Sequence, residues 1–307
     1  MNQTIFVLGA AITDIMGFPA DSLIPADSVP GRILKASGGV GRNIAENLVR
    51  LGLPVELLTA FGDDDNGKLL LSECQQLNIG VRYSILAEGQ NGARHLAVLD
   101  DQNDLYSGIA DLSVLNVITP TYLESQLESL QNAAAICLET NLPAKTIQWI
   151  MAQEWGVPLY LDPVSDQFAE KIKDHLGNLH TIKANRRQAE ILSGQRILQP
   201  KDLEEIAQKW LDKGVKRVFI TLGKQGAFAA SADQQMHIPA ANVAVVNTTG
   251  AGDAFYAGVL WASLRKWSLE DCCRAGLAAS TVAVRSATAI NPELTASSLL
   301  EHIKKFC

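Results

Sequence analysis

The sequence predicts an α/β fold, with a mostly parallel central sheet and helices on both of its faces. Two observations predict it: short apolar runs recur along the chain, and each is followed by a stretch whose apolar residues have helical spacing. The runs expected to form strands are residues 5–8, 55–60, 134–138, 158–161, 179–182 and 218–222. The stretches expected to form helices are residues 43–51, 67–77, 122–130, 146–155, 188–192 and 202–213.

Two regions interrupt this alternation and predict a small β-rich lid beside the main sheet. The pieces that resemble strands with no helix between them are residues 82–86, 94–99 and 104–107. The sequence Asp-Asp-Gln-Asn at 100–103 is typical of a hairpin turn, and residues 15–36 are neither strongly helical nor strongly apolar. The lid is expected from about 15–36 and 91–110. Because no linker or repeat divides the chain, a single domain over residues 1–307 is expected.

The last quarter of the chain is expected to be helical. Helical spacing covers residues 254–267, 269–284 and 297–306. Thr295 or Ala296 is expected to begin the last of these helices. A strand-like apolar run at 243–246 comes before them, so the glycine-rich residues 247–252 lie where a strand-like run gives way to a helix.

Composition predicts a globular cytoplasmic protein that binds neither nucleic acid nor a membrane. The 307 residues are 47% hydrophobic and 19% charged, which allows a sizeable core, and the net charge of −7 gives no reason to seek polyanions. Five cysteines include no C-x-x-C pair and the histidines have no zinc spacing, so reduced thiols are expected. The apolar run at 5–12 is too short to span a bilayer and lacks the flanks of a signal peptide.

The segment with the most chemical information is residues 247–253, Asn-Thr-Thr-Gly-Ala-Gly-Asp. Its glycines allow close approach to a ligand, and the helix that follows presents unpaired N–H groups and a positive dipole end. Together these features would form an anion cradle for a phosphoryl group. Asp253, in the first helical turn, would accept the proton of an attacking hydroxyl, which is the combination that phosphoryl transfer requires.

Two other interpretations of this segment are weaker. A bare G-x-G is more often a helix N-cap after a tight turn. A dinucleotide-binding turn needs a third glycine, and Phe255 occupies that place. The G-x-x-x-x-G-K-[ST] pattern of P-loop enzymes does not occur in the sequence.

A second glycine-rich entry to a helix occurs at residues 37–43, Ser-Gly-Gly-Val-Gly-Arg-Asn. Asn43 lies in its first helical turn, where the side-chain amide can both donate to and accept from hydroxyls. Gly9 and Asp14 follow the first predicted strand, and open α/β sheets bind ligands at the carboxyl ends of strands. Asp14 could hold two sugar hydroxyls there, or it could be an ordinary turn residue.

These segments resemble the two signatures of the PfkB (ribokinase-like) carbohydrate kinase family. The resemblance rests on Gly38 and Gly39 with Asn43, and on residues 249–253 followed by Ala-Gly at 257–258. It implies a three-layer α/β/α sandwich with a β lid, and transfer of phosphate from ATP, with Mg²⁺, to a primary hydroxymethyl group. It also implies a homodimer formed through the lid.

The resemblance assigns a role to each candidate residue. It makes Asp253 the base and gives the anion hole to Gly250, Ala251 and Gly252. The residues that would hold the sugar are Asp14, Gly38, Gly39, Asn43 and, from the far side, Glu139, which would otherwise be a solvated loop acid. The residues that would contact ATP are Asn185, Thr221, Gly223 and Gly226.

The sequence departs from the family pattern at two positions. The N-x-x-E motif that is tied to Mg²⁺ and phosphate is Asn-Arg-Arg-Gln at 185–188, so Gln188, with Glu190 close behind, would act on the metal indirectly. Asn247 stands where the family usually has Asp. This weakens a K⁺ site that Asn247, Thr249 and the carbonyls around residues 285–291 would form.

Several blocks resemble the bacterial pseudouridine kinases within this family and predict the 5′-hydroxyl of pseudouridine as the acceptor. These blocks are residues 26–33, 37–45, 161–165 and 180–183, the last of which precedes Asn185. Ribose, fructose and purine nucleosides stay open as acceptors. A phosphosugar is disfavoured because only Arg42 and Arg94 could bind its phosphate. A non-catalytic nucleoside-binding regulator also stays open, because of Gln188 and Asn247.

Overall fold

The computed structural model describes residues 3–102, 104–169, 172–173 and 175–306. Its strands are β1 Ile5–Leu8, β2 Ile12–Pro19, β3 Gly31–Gly38, β4 Val55–Leu58, β5 Ala60–Gly62, β6 Ile85–Ala87, β7 Arg94–Leu99, β8 Leu105–Asp111, β9 Ala135–Glu139, β10 Leu159–Asp162, β11 Thr181–Asn185, β12 Arg217–Thr221, β13 Ala227–Ser231 and β14 Gln235–Ile238. Its helices are α1 Val40–Arg50, α2 Asp65–Gln76, α3 Pro120–Glu124, α4 Leu127–Gln131, α5 Ala144–Ala152, α6 Asp166–Ala169, α7 Arg186–Ser193, α8 Pro200–Asp212, α9 Ala251–Ser263, α10 Leu269–Ala283 and α11 Ala296–Ile303. Short 3₁₀ helices lie at Ser113–Val117, Leu176–Asn178, Gly223–Gln225 and Lys304–Phe306.

The main sheet is mostly parallel, as predicted. Within the described residues its order is β14-β13-β12-β11-β10-β9-β1-β4. The strands from β12 to β4 pair in parallel, and β13 and β14 add an antiparallel edge. The carboxyl ends of the parallel strands therefore meet at one edge of the sheet.

Two apolar clusters, one on each face of the sheet, make the fold a three-layer sandwich. Ile5 and Val7 of β1 pack into a cluster with helices that include α1, α9 and α10. Phe6 and Leu8, on the opposite face of the sheet, pack into a cluster with helices that include α5 and α8. Because both faces are covered, the strands are mostly apolar, which is why they appear in the sequence as nearly continuous apolar runs.

A second, smaller sheet contains β3-β2-β7-β8 and is called the small sheet below. β2 pairs antiparallel with β3 and parallel with β7, and β7 pairs antiparallel with β8. The chain enters the small sheet directly from β1 and returns through β3 into α1. One side of the small sheet thus begins at the carboxyl edge of the main sheet.

Four elements differ from the sequence prediction. The run at 55–60 divides into β4, in the main sheet, and β5, which pairs with β6 from the strand-like piece at 82–86. The helical stretch at 122–130 divides into α3 and α4. The apolar run at 243–246 forms no strand, and Val245 and Val246 are exposed. Of the predicted hairpin turn, Asn103 lies outside the described residues, as does Cys307.

The described helices include none that is both long enough and apolar enough to cross a bilayer.

Candidate active site

The two glycine-rich segments meet at the carboxyl edge of the main sheet. α1 and α9 begin there, and the Nδ2 amide of Asn43 donates to Oδ2 of Asp253 at 2.9 Å, across 210 residues of sequence. Both side chains are buried. Oδ1 of Asn43 is buried with no hydrogen-bond partner among the described residues, which is unusual for a buried polar atom. A ligand hydroxyl could satisfy it.

Gly250 is the N-cap of α9 and has a φ of 77°, in the left-handed region. A side-chain carbon at this position would overlap the carbonyl of Ala289, so both the conformation and the space require glycine. The amide of Ala251 donates to the carbonyl of Thr248 at 3.2 Å. Of the three predicted anion-hole donors, Ala251 is therefore already engaged within the protein.

The pKa of Asp253 is raised to about 7, first by burial and then by the negative charge of Asp162. The ammonium of Lys183 and the hydrogen bond from Asn43 act in the opposite direction. An ordinary carboxyl pKa near 4 therefore does not apply to Asp253, because its side chain is buried. A base whose pKa lies near the operating pH is better matched to general-base catalysis.

Asp14 lies within β2 of the small sheet, so the alternative of an ordinary turn residue is wrong. Its Oδ1 lies 3.2 Å from Nδ1 of His95, a β7 residue that sequence reasoning missed, and this contact raises the pKa of His95. A side chain on Gly38 would overlap Oδ2 of Asp14. Gly39 has a φ of 94°, and its added carbon would lie 2.5 Å from the carbonyl oxygen of Ala10. These glycines allow β3 to pass close to Asp14 before α1 begins.

Glu139, the last residue of β9, is fully buried, so the alternative of a solvated loop acid is wrong. Its Oε1 accepts the amide of Ala10, and its Oε2 accepts the amide of Asn141 at 2.8 Å. The side chain of Glu139 also occupies the space in which a side chain on Gly9 would lie. Glu139 thus ties the chain between β1 and β2 to the end of β9, and its predicted contact with the sugar stays a prediction.

Asn185 and Thr221 are paired neighbours at the ends of β11 and β12, which places two predicted ATP contacts side by side. The 3₁₀ helix at Gly223–Gln225 follows β12. Gly223 has a φ of 59° with open space around it, whereas a side chain on Gly226 would overlap the carbonyl of Ile238. Gly226 is therefore required for packing against the chain that follows β14.

Gln188 and Glu190, predicted to act on Mg²⁺ indirectly, both have hydrogen-bond partners within the protein, and their indirect action stays a prediction. The side chain of Gln188 accepts the amide of Asn185 at 2.8 Å and donates to the carbonyl of Val164 at 2.8 Å. Oε1 of Glu190 accepts a hydrogen bond from the amide of Ile197 at 2.9 Å. Residues two positions apart on a helix point about 200° apart, so Gln188 and Glu190 face different sides of α7. Among the described residues, no group of three or more His, Cys, Asp or Glu side chains could hold a metal ion.

Two hydrogen bonds hold the side chain of Asn247 at the predicted K⁺ site. Nδ2 of Asn247 donates to the carbonyl of Ala287 at 3.0 Å, and Oδ1 accepts a hydrogen bond from the amide of Thr249 at 2.9 Å. The amide of Asn247 carries no charge to attract a cation, and the K⁺ site stays a prediction.

Sequence reasoning did not identify a buried ion pair beside Asp253. Nζ of Lys183 in β11 lies 2.8 Å from Oδ2 of Asp162, at the end of β10, and both side chains are buried. Asp162 and Lys183 fall in two of the blocks that carry the resemblance, but no motif links them. Their contact follows from the parallel pairing of β10 with β11.

Comparison with known proteins agrees with this geometry. Residues 2–296 match the family described as pfkB family carbohydrate kinase. The chain is 32% identical to pseudouridine kinase of Escherichia coli (strain K12), over 98% of this chain and 96% of that protein. It is 27% identical to ribokinase of Haemophilus influenzae, over 99% of each chain. The structure of Arabidopsis thaliana ribokinase complexed with ribose and ATP superposes with a TM-score of 0.84 at 23% identity, over 99% of each chain.

Proposed function

Because the chain belongs to the pfkB family of carbohydrate kinases, we propose that it transfers the γ-phosphate of ATP to the 5′-hydroxyl of pseudouridine. The observation that carries the proposal is the contact between Asn43 and Asp253 at the N-terminus of α9. A neighbouring sugar hydroxyl that donates to Oδ1 of Asn43 would hold the substrate with its 5′-hydroxyl free to donate to the carboxylate of Asp253, beside the first amides of α9. A proton acceptor and a phosphate cradle thus face one reacting oxygen.

In the proposed mechanism, Asp253 accepts the proton of the 5′-hydroxyl as the new O–P bond forms and the bond from the γ-phosphorus to the bridging oxygen of ADP breaks. The amides of Gly250 and Gly252 stabilise the transferring group, because a helix N-terminus favours negative charge. Asn43 orients the carboxylate through its 2.9 Å hydrogen bond. Mg²⁺, carried by the phosphates of ATP and by water, would neutralise developing charge.

Two observations support a nucleoside over a phosphosugar as the acceptor. Arg42 lies 3.1 Å from Glu46 and 3.7 Å from Glu73, and Arg94 pairs with Asp64. Both guanidinium groups are therefore neutralised within the protein. The identity to pseudouridine kinase and the blocks at 26–45 favour pseudouridine among the nucleosides.

The proposal includes a lid, a dimer and a cellular location. The small sheet would close over the nucleoside and exclude water from the reaction. It exposes large apolar side chains, which support a second copy of the chain as its partner, and sedimentation at several concentrations would test this. The exposed residues are Ile33, Leu34, Leu96, Leu105, Tyr106 and Ile109. The cytoplasm is proposed as the location because it supplies ATP and keeps thiols reduced.

The test is ADP release with Mg²⁺-ATP and a panel of acceptors: pseudouridine, uridine, adenosine, inosine, ribose and fructose, each with and without K⁺. We expect turnover on pseudouridine with little on uridine, and the arms with and without K⁺ test the predicted cation site at Asn247. Faster turnover on another acceptor would overturn the assignment of pseudouridine as the substrate and would leave the assignment of kinase activity intact. If the protein binds ATP but turns over no acceptor, the alternative of a non-catalytic nucleoside-binding regulator is favoured.

We predict that kcat/KM for pseudouridine, measured at saturating Mg²⁺-ATP, rises with pH through a limb near pH 7. Asp253 must be ionised to accept a proton, and its pKa is raised to about 7, so the active fraction increases about tenfold per unit below that pH. Repeating the profile with ATPγS, whose terminal group is more acidic, separates the nucleotide from the protein. A limb that moves with the nucleotide, or one near pH 4, would contradict the assignment to Asp253.

A further inference from the structure

The ion pair between Asp162 and Lys183 lies at the carboxyl edge of the sheet, where the site forms. Its Nζ–Oδ2 distance is 2.8 Å, and the two side chains are 2% and 7% exposed, respectively. Burying two charges carries a desolvation penalty that their attraction often does not recover, so such a pair is weak as a source of stability. A pair of this kind beside a catalytic carboxylate therefore calls for a functional explanation.

The ammonium group of Lys183 occupies the space that a side chain on Gly252, in the first turn of α9, would need. A carbon added to Gly252 would lie 2.8 Å from Nζ of Lys183. Gly252 is not among the described residues with positive φ, so glycine is required here for space and not for conformation. The ammonium group thus lies against the first turn of α9, one residue from Asp253.

Asp162 is fixed in its position by the turn that follows β10. Its Oδ1 accepts the amide of Val164 at 2.8 Å, while Oδ2 holds Lys183. Val164 has a φ of 56°, which is strained for a β-branched residue. Its carbonyl accepts a hydrogen bond from Nε2 of Gln188. Strain of this kind persists where the surroundings hold it, and here it orients the carboxylate that holds Lys183.

We propose that Asp162 and Lys183 are positioning residues that set the charge of Asp253, with Lys183 favouring its ionised form and Asp162 favouring its protonated form. The proposal rests on the proposed role of Asp253 as the base. Both charged groups act on Asp253 from the strands beneath α9, and α1 contributes the neutral amide of Asn43. Asp162 raises the pKa of Asp253 and Lys183 lowers it, so the two members of the pair have opposite effects on the same group.

The test uses the pH dependence of kcat in Lys183→Met and Asp162→Asn. Without Lys183 the base holds its proton more tightly, so the acid limb should move to higher pH by about one unit, an approximately tenfold loss below the limb. Without Asp162 the base ionises more readily, so the limb should move to lower pH. The double variant should return the limb towards its wild-type position, since both charges are then absent.

Opposite displacements distinguish this role from a purely structural one, because structural damage lowers activity without moving the limb in two directions. Lys201→Met is the matched control: Lys201 forms a surface pair with Glu205 at 3.7 Å, and its profile should not change. If Lys183→Met does not fold, Lys183→Gln carries the same expectation. Displacements in one direction, or none, would overturn the proposal.

A direct titration separates this proposal from the role of Asp253. The carboxyl carbon of Asp253, labelled with ¹³C, can be followed by NMR against pH in the free protein and in each variant. Opposite shifts of its midpoint, together with an unchanged rate in Asp253→Asn, would show the charge coupling and remove Asp253 as the base. An unshifted midpoint in both variants would overturn the coupling itself.

Discussion

Replacing Asp253 with Asn should lower kcat by at least ~10³-fold and leave binding of pseudouridine intact, within the range reported for loss of a general base. The amide can still accept the hydrogen bond from Asn43, so the geometry is kept while the proton acceptor is lost. Steady-state kinetics and calorimetric titration of pseudouridine measure the two quantities. A near-wild-type rate would remove Asp253 from the mechanism.

The same substitution should stabilise the protein at pH 8. The folded state binds a proton at Asp253 up to about pH 7, whereas an unfolded aspartate releases it near 3.8. Stability therefore falls as the pH rises from about 4 to about 7, and above that pH the folded protein holds a buried charge. Asn removes this penalty, so the melting temperature should rise at pH 8 and change little at pH 4. Asp233→Asn, in the exposed turn between β13 and β14, is the control and should alter neither quantity.

The combination of lost activity and gained stability is informative because the two effects share one cause. A catalytic carboxylate that is buried for function destabilises the fold that holds it. If Asp253→Asn melted at a lower temperature than the wild type at pH 8, the buried carboxylate would be stabilising. The raised pKa would then have to be abandoned.

Much of the fold could be predicted because its strands are buried on both faces. β1 lies at Ile5–Leu8, the residues predicted, since a strand covered on both sides is a continuous apolar run with clear ends. The run at 243–246 is also wholly apolar and forms no strand. The amide of Val246 instead donates to the carbonyl of Val284, beyond the end of α10. Apolar composition alone cannot identify the partner of a segment.

Some residues of the candidate site could be predicted from the sequence and others could not. Glycine motifs identify Asn43 and Asp253 because the close approach of α1 and α9 leaves a local signature in the sequence. No local signature marks Lys183 and Asp162, which meet only when β10 and β11 pair. At Gln188, the local pattern fits two interpretations, a variant of the N-x-x-E motif and a helix cap. An Asn followed three residues later by Gln at the start of a helix is typical of a capping box, and this is what the structure contains.

Gly250→Ala should lower kcat by about 10²- to 10³-fold, the scale of losing one donor of an oxyanion hole. Alanine is strained at a φ of 77°, and its side chain would overlap the carbonyl of Ala289, so the N-terminus of α9 must move. A shift of that turn displaces the amides that are proposed to receive the transferring phosphate. We expect the free energy of unfolding to fall by about 2–4 kcal/mol as well.

A loss of activity could follow from the strain alone, and Gly156→Ala separates the two causes. Gly156 has a φ of 72° with no atom within 4 Å of its added carbon, and it lies before β10, at the opposite edge of the sheet. Its substitution should lower the free energy of unfolding by about 1–2 kcal/mol and leave kcat unchanged. If both variants lose activity in proportion to their stability, the anion hole does not depend on Gly250. If only Gly250→Ala loses activity, the first turn of α9 holds the phosphoryl group.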